Sequence, residues 1–395
     1  MNTTKTKTNQ SSLRRLIQRA QAVAFNHTAQ LILITLLSVT TAAAQARSVR
    51  PRANRSFQTM TVNLYVGGGT GRVLALDPSD PGYITNLVAT VTGIYYEIAA
   101  SQPVARLQGV ADEIAARHPD IVSVQEASLI RVQSPGDLVL GGTTRATNVV
   151  FDYLQILVDS LATRGVHYAV VASTDELDVE LPMLNLQTGS IDDARLTDRD
   201  AILVRTDLRR GELLVRHPRS GNFTNIIQLP SVGLSVPRGW CSVDVILRGQ
   251  VFRYICTHLE EETAPQLQIL QAKELLEGPA RSNLPVIIGG DFNSDPLHRD
   301  GSLAYDVFAA HFKDAWTLVH PADFAGGLTW GHDEFLADPS TAFDRRIDLV
   351  FFRGGRFTAW QAEVRDLTLD RTRPPLWASD HAAVAVKFAP RGSRH

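Results

Sequence analysis

Six short stretches of this sequence place a side chain able to bind a metal ion or move a proton beside, or inside, an apolar run. They supply Asn63, Glu126, His258, the Asp291 and Asn293 of Gly290-Asp291-Phe292-Asn293, Asp348, and the adjacent Asp380 and His381. Charged groups are costly in such surroundings unless they are paired or bound to a metal, and a purely structural chain has no need of so many. Carboxylate and amide oxygens suit Mg²⁺, with Mn²⁺ or Ca²⁺ as alternatives; zinc prefers histidine and cysteine. Histidines next to acids suit proton transfer near neutral pH. An oxygen-ligated cation with histidine acid–base groups points to hydrolysis of a phosphate ester. Taken singly, each residue has a structural alternative: a strand-end turn for Asn63, a cap for Glu126, a core histidine for His258, an Asx-turn for Asp291 and Asn293, an arginine pair for Asp348, a solvated loop for Asp380 and His381. The ordered set makes those alternatives poor as a joint account.

The elements that must carry these residues are legible as alternations of helix and strand. Phe57 to Val66 alternates as a strand before Asn63 is reached and the glycines at 67–69 and 71 break it. Residues 83–100 read as a helix apolar on most sides. A cleaner helix follows from Pro103 and stops near His118-Pro119. Asp120 to Gln125 is an apolar strand ending in Glu126. The same order returns with a helix at about 264–277, a strand through Leu284 to Gly289, then strands at Arg346–Phe352 and Ala382–Phe388. A helix is expected at 149–163, and the acidic stretch 173–200 reads as loop. Helix followed by strand, with polar residues at strand ends, is an α/β signature. The acids Asp192-Asp193, Asp198 to Asp200 and Glu260 to Glu262 read as solvated surface.

The motifs Thr61-Val62-Asn63, Gln125-Glu126, Thr257-His258-Leu259, Gly290-Asp291-Phe292-Asn293, Arg346-Ile347-Asp348 and Ser379-Asp380-His381 resemble, in this order, those of the endonuclease/exonuclease/phosphatase superfamily with its deoxyribonuclease-I-like fold. The resemblance spans about 57–388 and suggests an exported, bacterial-type member. It implies an α/β fold: a four-layer α-β-β-α sandwich of two mixed, mostly antiparallel sheets, with the site at one edge. It further implies that Glu126 is the principal Mg²⁺ carboxylate, with Asn63 and Asp380 beside the same ion. Asp291 then aligns or deprotonates the attacking water, Asn293 holds the phosphate, and His381, oriented by Asp348, contacts the phosphate or activates water. His258 resembles the second histidine of the deoxyribonuclease and sphingomyelinase branches. Trp330 resembles a position near the site floor. The 63 positions between Asn63 and Glu126 exceed the family's usual spacing, so an insertion at about 67–103 is expected to flank the cleft as a lid or wall.

The chain has 395 residues, 44% of them hydrophobic and 20% charged, a globular composition. Residues 1–46 hold Lys5, Lys7, Arg14, Arg15 and Arg19 and no acid; without these five, 34 basic residues face 41 acidic ones, a net of −7. Binding of nucleic acid through bulk positive charge is thereby excluded. Leu31 to Val39 is a short apolar run followed by Ala44-Gln45-Ala46, the pattern of an export signal, with an uncleaved anchor as the alternative. The expected organisation is a signal or anchor at 1–46, a linker at 47–56 and one catalytic domain at 57–390, secreted or periplasmic and monomeric. Gly67 to Arg72 lacks the Gly-Lys-Ser/Thr of a phosphate loop. Cys241 and Cys256 fall at equal distances from a turn at Arg248-Gly249, so they face each other across a hairpin. An exported chain favours a disulfide there, and two buried thiols are the alternative. The substrate is left open between a nucleic acid and a phospholipid or sphingomyelin headgroup, with a phosphomonoester third. A non-catalytic binding module is the remote alternative.

Overall fold

The structure, a computed structural model, describes residues 55–229, 233–299, 301–340, 343–370 and 372–392. The expected export signal, and the linker as far as residue 54, lie outside these residues. In β1 (Phe57–Asn63) every residue is buried and successive side chains point to opposite faces. Met60 and Val62 meet a layer of helices, whereas Phe57 meets a second sheet. A strand apolar on both faces needs cover on both.

The first sheet runs β15 (Phe357–Arg365), β16 (Ala383–Pro390), β1, β2 (Ile121–Gln125), β6 (Ile191–Arg205), β3 (Leu129–Gln133) and β4 (Asn148–Asp152), with β5 (Tyr168–Leu184) also paired to β6. The second runs β13 (Lys313–Asp314), β14 (Asp348–Arg353), β12 (Val286–Asp291), β11 (Gln250–His258), β10 (Gly239–Leu247) and β7 (Leu213–Asn222). A small hairpin, β8 (Ile227–Leu229) with β9 (Leu234–Val236), stands apart. In each sheet one neighbouring pair is parallel, β1 with β2 and β11 with β12. The first pair is joined through α1 (Tyr83–Ala100) and α2 (Pro103–Arg117), the second through α4 (Pro265–Glu277). The helices α2 and α3 (Tyr153–Thr163) bury Leu107, Val110, Ile114, Leu157 and Leu161 on the outer face of the first sheet. On the outer face of the second, α4 and α5 (Ala304–Ala309) bury Ala272, Leu275 and Phe308; α6 (Ala315–Val319) follows β13. The expected four-layer α-β-β-α order is the one observed.

The core between the sheets changes character along the strands. At one end Phe57 stacks on Phe252 and Phe388 with centroids 4.9 and 5.1 Å apart. Towards the other end the inward positions become polar. Ser123 Oγ and Tyr254 Oη share a hydrogen bond of 3.0 Å, Thr61 Oγ1 donates to Gln125 Oε1 at 3.1 Å, and Gln125 Nε2 donates to Cys256 Sγ at 3.1 Å. Buried polar groups are tolerated when paired, and here they lead from an apolar core to a polar edge. Gly289 is small because a Cβ there would lie 2.7 Å from Tyr254 Oη and 2.9 Å from Ser123 Oγ.

Several sequence expectations need correction. Residues 173–200 are not loop: β5 and β6 form a long twisted hairpin that takes in most of that stretch. Of the acids expected on a solvated surface, Asp192, Asp193, Asp200 and Glu260 are buried, whereas Glu261 is exposed as expected. The alternating pattern of a hairpin was hidden because both faces of these strands carry charge, much of it paired across the strands, as between Arg195 and Asp178. Residues 148–152 are strand, and the helix expected from 149 begins at Tyr153. Cys241 and Cys256 are register partners across the β10–β11 hairpin, as expected, but both are free, buried thiols and not a disulfide.

Candidate active site

Strand register brings the chemistry together. His258 ends β11, Asp291 ends β12 and Asp348 opens β14; His258 pairs with Asp291, and Asp291 with Asp348. Three functional groups therefore stand in one row across three neighbouring strands. In the other sheet Asn63 ends β1 opposite Gln125 at the end of β2, and Glu126 follows at once. Ser379 Oγ donates to Asn63 O at 2.8 Å and accepts from His381 N at 3.1 Å, which ties the Asp380-His381 turn to β1. All eight residues singled out in the sequence thus meet where the polar ends of both sheets approach.

Asn63 lies between two carboxylates. Its Nδ2 donates to Glu126 Oε1 at 3.0 Å and to Asp291 Oδ2 at 3.1 Å, while its Oδ1 accepts from Tyr65 N at 2.9 Å. With its oxygen committed to a backbone N–H, the amide spaces the two acids. Glu126 sits at φ 52°, a left-handed conformation that an L-residue adopts at a cost of about 1–3 kcal/mol. Val66 N holds it there by donating to Glu126 Oε2 at 2.7 Å. Asn293, at φ 47°, is also left-handed, a setting asparagine tolerates. Its backbone N–H donates to Asp291 Oδ1 at 2.9 Å.

His381 Nδ1 lies 2.8 Å from Asp348 Oδ2, and its Nε2 is 3.8 Å from Asp291 Oδ2 and 3.9 Å from Asp380 Oδ1. Burial alone would lower its pKa, but the surrounding Asp348, Asp380 and Asp291 outweigh that and raise it well above the ordinary value. His258 is the opposite case. Burial, then the charges of Arg238 and His381, hold it well below the ordinary value, so it is neutral. Arg238 Nη1 reaches His258 Nδ1 at 3.1 Å. Arginine only donates, so Nδ1 accepts and the ring hydrogen is on Nε2, which faces Asp291 Oδ2 at 3.5 Å. Asn293 Nδ2, close to the same Nε2, gives its hydrogen to Leu259 O at 3.1 Å.

The carboxylates crowd one another. Burial pushes Asp291 up to about 7, with Asp348 adding to the shift and His381 opposing it. Burial pushes Asp380 up to about 6, with Glu126 adding and His381 opposing. Asp380 Oδ1 and Asp348 Oδ1 are buried without a hydrogen-bond partner. Unpartnered carboxylate oxygen beside acids that resist ionisation fits a bound divalent cation, and Glu126 with Asp380 supply the hard oxygen donors it takes. Among the described residues two groups of metal-type donors converge, Asp291 with Asp348 and His381, and Glu176 with Asp198 and His258; the latter is already filled. The guanidinium of Arg238 lies 3.4 Å from Glu176 Oε2 and 3.7 Å from Asp198 Oδ2, as well as against His258.

Sequence reasoning missed Arg238, Glu176, Asp198 and Arg106. The last is fully buried on α2, where Nη1 donates to Leu64 O and Ala378 O at 2.9 and 3.0 Å and Nη2 donates to Tyr65 O at 2.9 Å. It fastens the loop after β1 to the loop before Asp380. An arginine among the apolar positions of an amphipathic helix was the available signal. Trp330 lines the cleft, with the Arg345 guanidinium 3.9 Å above its ring.

A model of the family described as "Endonuclease/Exonuclease/phosphatase family" matches residues 60–381. A comparison with curated proteins gives no match. Among solved structures, the chain is similar to a family protein from Bacteroides thetaiotaomicron at 17% identity and TM-score 0.48, over 86% of this chain and 97% of that one. It is also similar to a mannosyl-6-phosphatase of Bacteroides thetaiotaomicron VPI-5482 at 16% identity and TM-score 0.46, over 84% and 99% of the two chains. D. rerio TDP2 complexed with a single-strand DNA product follows at 17% identity and TM-score 0.46, over 84% and 98%. The family match runs from within β1 to His381 and so takes in every residue of the site just described: the chain belongs to the endonuclease/exonuclease/phosphatase family, whose members are hydrolases acting on phosphate esters.

Proposed function

We propose that this chain is an exported, divalent-metal-dependent phosphodiesterase, with its catalytic domain at 57–390 and the 67–103 insertion as one wall of the cleft. The observation that carries the reading is the meeting of Glu126, Asp291 and Asp380 with His258 and His381, with the Asp291 carboxyl held near 7, where it can accept a proton at physiological pH. Mg²⁺, with Mn²⁺ or Ca²⁺ as substitutes, is the cation proposed at Glu126 and Asp380; when bound it would neutralise charge on the phosphoryl oxygens. Asp291 takes the proton of the attacking water. Protonated His381, held at Nδ1 by Asp348, places positive charge and an Nε2 hydrogen towards the phosphate. Neutral His258 presents its Nε2 hydrogen from the opposite strand row. Asn63 keeps Glu126 and Asp291 apart at a fixed distance. In-line phosphoryl transfer needs this combination of positioning and charge neutralisation more than covalent chemistry. The export part rests on the Arg14–Val39 sequence pattern alone.

The test is hydrolysis of bis(4-nitrophenyl) phosphate before and after treatment with chelator, with Mg²⁺, Mn²⁺ or Ca²⁺ restored in turn. Activity should disappear with chelator and return with at least one of the ions. Asp291→Asn should lower kcat about 10²–10⁴-fold. Turnover indifferent to both chelator and Asp291→Asn would refute the assignment.

A further inference from the structure

The catalytic edge opens into a cleft of about 430 Å³, lined by aliphatic side chains on one part and by the catalytic and other charged groups on the rest. One wall is α1 and the short turn of helix before it, contributing Val73, Ile94 and Ile98; the facing wall is the β5–β6 hairpin, contributing Val179, Leu181 and Leu196. The β8–β9 hairpin closes a third side. These walls are docked rather than loose. Leu184 N donates to Thr92 Oγ1 at 2.8 Å, and Leu186 N donates to Tyr96 Oη at 3.0 Å, so the tip of the hairpin is fixed to α1. Leu87 and Val91 of α1 pack on Met183 of the hairpin. The volume lies within the range of small-molecule sites, which are mostly apolar with a few placed polar groups.

The aliphatic chamber and the catalytic groups are continuous. Val66 lines the chamber while its N–H holds Glu126 Oε2 at 2.7 Å. Asp291, Asp380 and His381 line the same space. The positive charge available to a nucleic-acid backbone is already used. Among the described residues, the arginines lining the cleft are Arg195, Arg238 and Arg345. Arg195 Nε donates to Asp178 at 2.8 Å, Arg345 Nη1 donates to Glu262 at 2.7 Å, and Arg238 is ringed by Glu176, Asp198, Glu260 and Glu261. An extended polyanion needs unpaired cations along its path, whereas a saturated chain needs only dry aliphatic surface.

We propose that the chamber receives a hydrocarbon chain esterified to the scissile phosphate, so that the substrate class is an alkyl phosphodiester. This rests on the phosphodiesterase reading above. The insertion at 67–103 is then a specificity element, because it provides the wall against which the chain lies.

The test uses bis(4-nitrophenyl) phosphate hydrolysis by the metal-loaded full chain as reporter and monoalkyl phosphates from methyl to octyl, kept below micellar concentrations, as competitive inhibitors. Each methylene that enters the chamber should lower Ki about four-fold, the equivalent of about 0.8 kcal/mol, until the chamber is full. Ile94→Asp and Val73→Asp should each flatten the slope of log Ki against chain length; the half-exposed Val73 is the position the fold tolerates best. The slope is read independently of the basal rate. A Ki that does not change with chain length while the reporter is hydrolysed overturns the chamber proposal and leaves the phosphodiesterase reading standing. A slope unchanged in both variants does the same, since the alkyl chain would then bind elsewhere. Absence of reporter hydrolysis with every metal overturns the phosphodiesterase reading, and this inference with it.

Discussion

Replacing Arg238 by methionine removes the shared partner of four carboxylates. The side chain is only 11% exposed and its guanidinium is the common partner of Glu176, Asp198, Glu260 and Glu261, at 3.4, 3.7, 3.6 and 3.8 Å. Burial already pushes Glu176 well above the ordinary carboxylate range, and burial with the charge of Glu126 pushes Asp198 up to about 7. Removing one partner of a buried ion pair typically costs about 3–5 kcal/mol, because the other charge is left uncompensated. That is a large part of a domain's usual stability of about 5–15 kcal/mol. The cost must depend on pH, and its sign follows from linkage. A carboxyl whose folded pKa is raised is harmless below its unfolded value of about 4 and is penalised as pH rises through the folded value. Without Arg238 those folded values rise further, so the loss should be greatest at pH 8 and should shrink towards pH 5. Urea unfolding of wild type and Arg238→Met at the two pH values measures this directly. The double variant Arg238→Met with Glu176→Gln should recover part of the loss at pH 8. A loss that is equal at pH 5 and pH 8, or a double variant less stable than the single one, would sink the reasoning.

Two further outcomes follow from the geometry. Asp348→Asn replaces the carboxylate 2.8 Å from His381 Nδ1 by a neutral amide and removes the charge that favours the protonated ring; kcat for a phosphodiester should fall about 10²–10⁴-fold, and a loss below three-fold in steady-state assays would contradict the positioning role. His332 is held between Asp338 at 2.7 Å and Asp366 at 3.0 Å and stacks on Trp377; burial opposes its protonation, but the two carboxylates win and raise its pKa. Its stabilising contribution is therefore complete below the unfolded value of about 6.5 and is lost as pH climbs through the raised folded value, so His332→Gln should destabilise more at pH 6 than at pH 9 in denaturant titrations, and equal losses would contradict it.

The layered fold and the meeting of the eight candidate residues were legible because they obey local rules. An apolar strand that ends in an acid or a histidine announces both the strand and the site, since a charged group next to a buried run is tolerated only with a partner or a cation. The turn at Arg248-Gly249 fixed the β10–β11 register, and the facing of Cys241 and Cys256 followed from symmetry about it. What stayed hidden depends on contacts between distant segments. Asp198, Asp200 and Glu260 look like surface in sequence, and nothing local says that an arginine from the segment just before β10 enters among them. Arg106 is hidden in the same way, because the carbonyls it satisfies come from residues 64, 65 and 378.

The missed residues also explain why the visible ones can work. A carboxylate such as Asp291 is useful as a proton acceptor near neutral pH only if its neighbours prevent it from ionising early, and that requires burial together with a surplus of negative charge. A surplus of that kind would loosen the cleft unless a fixed cation stood on its outer side. Arg238 stands there, facing four carboxylates on one flank of His258. With Arg238 beside His258, and Asp348, Asp380 and Asp291 around His381, one histidine is neutral and the other charged within a single cleft. Two histidines in opposite protonation states are what a site needs if one is to donate a neutral hydrogen bond and the other to carry positive charge towards a phosphate.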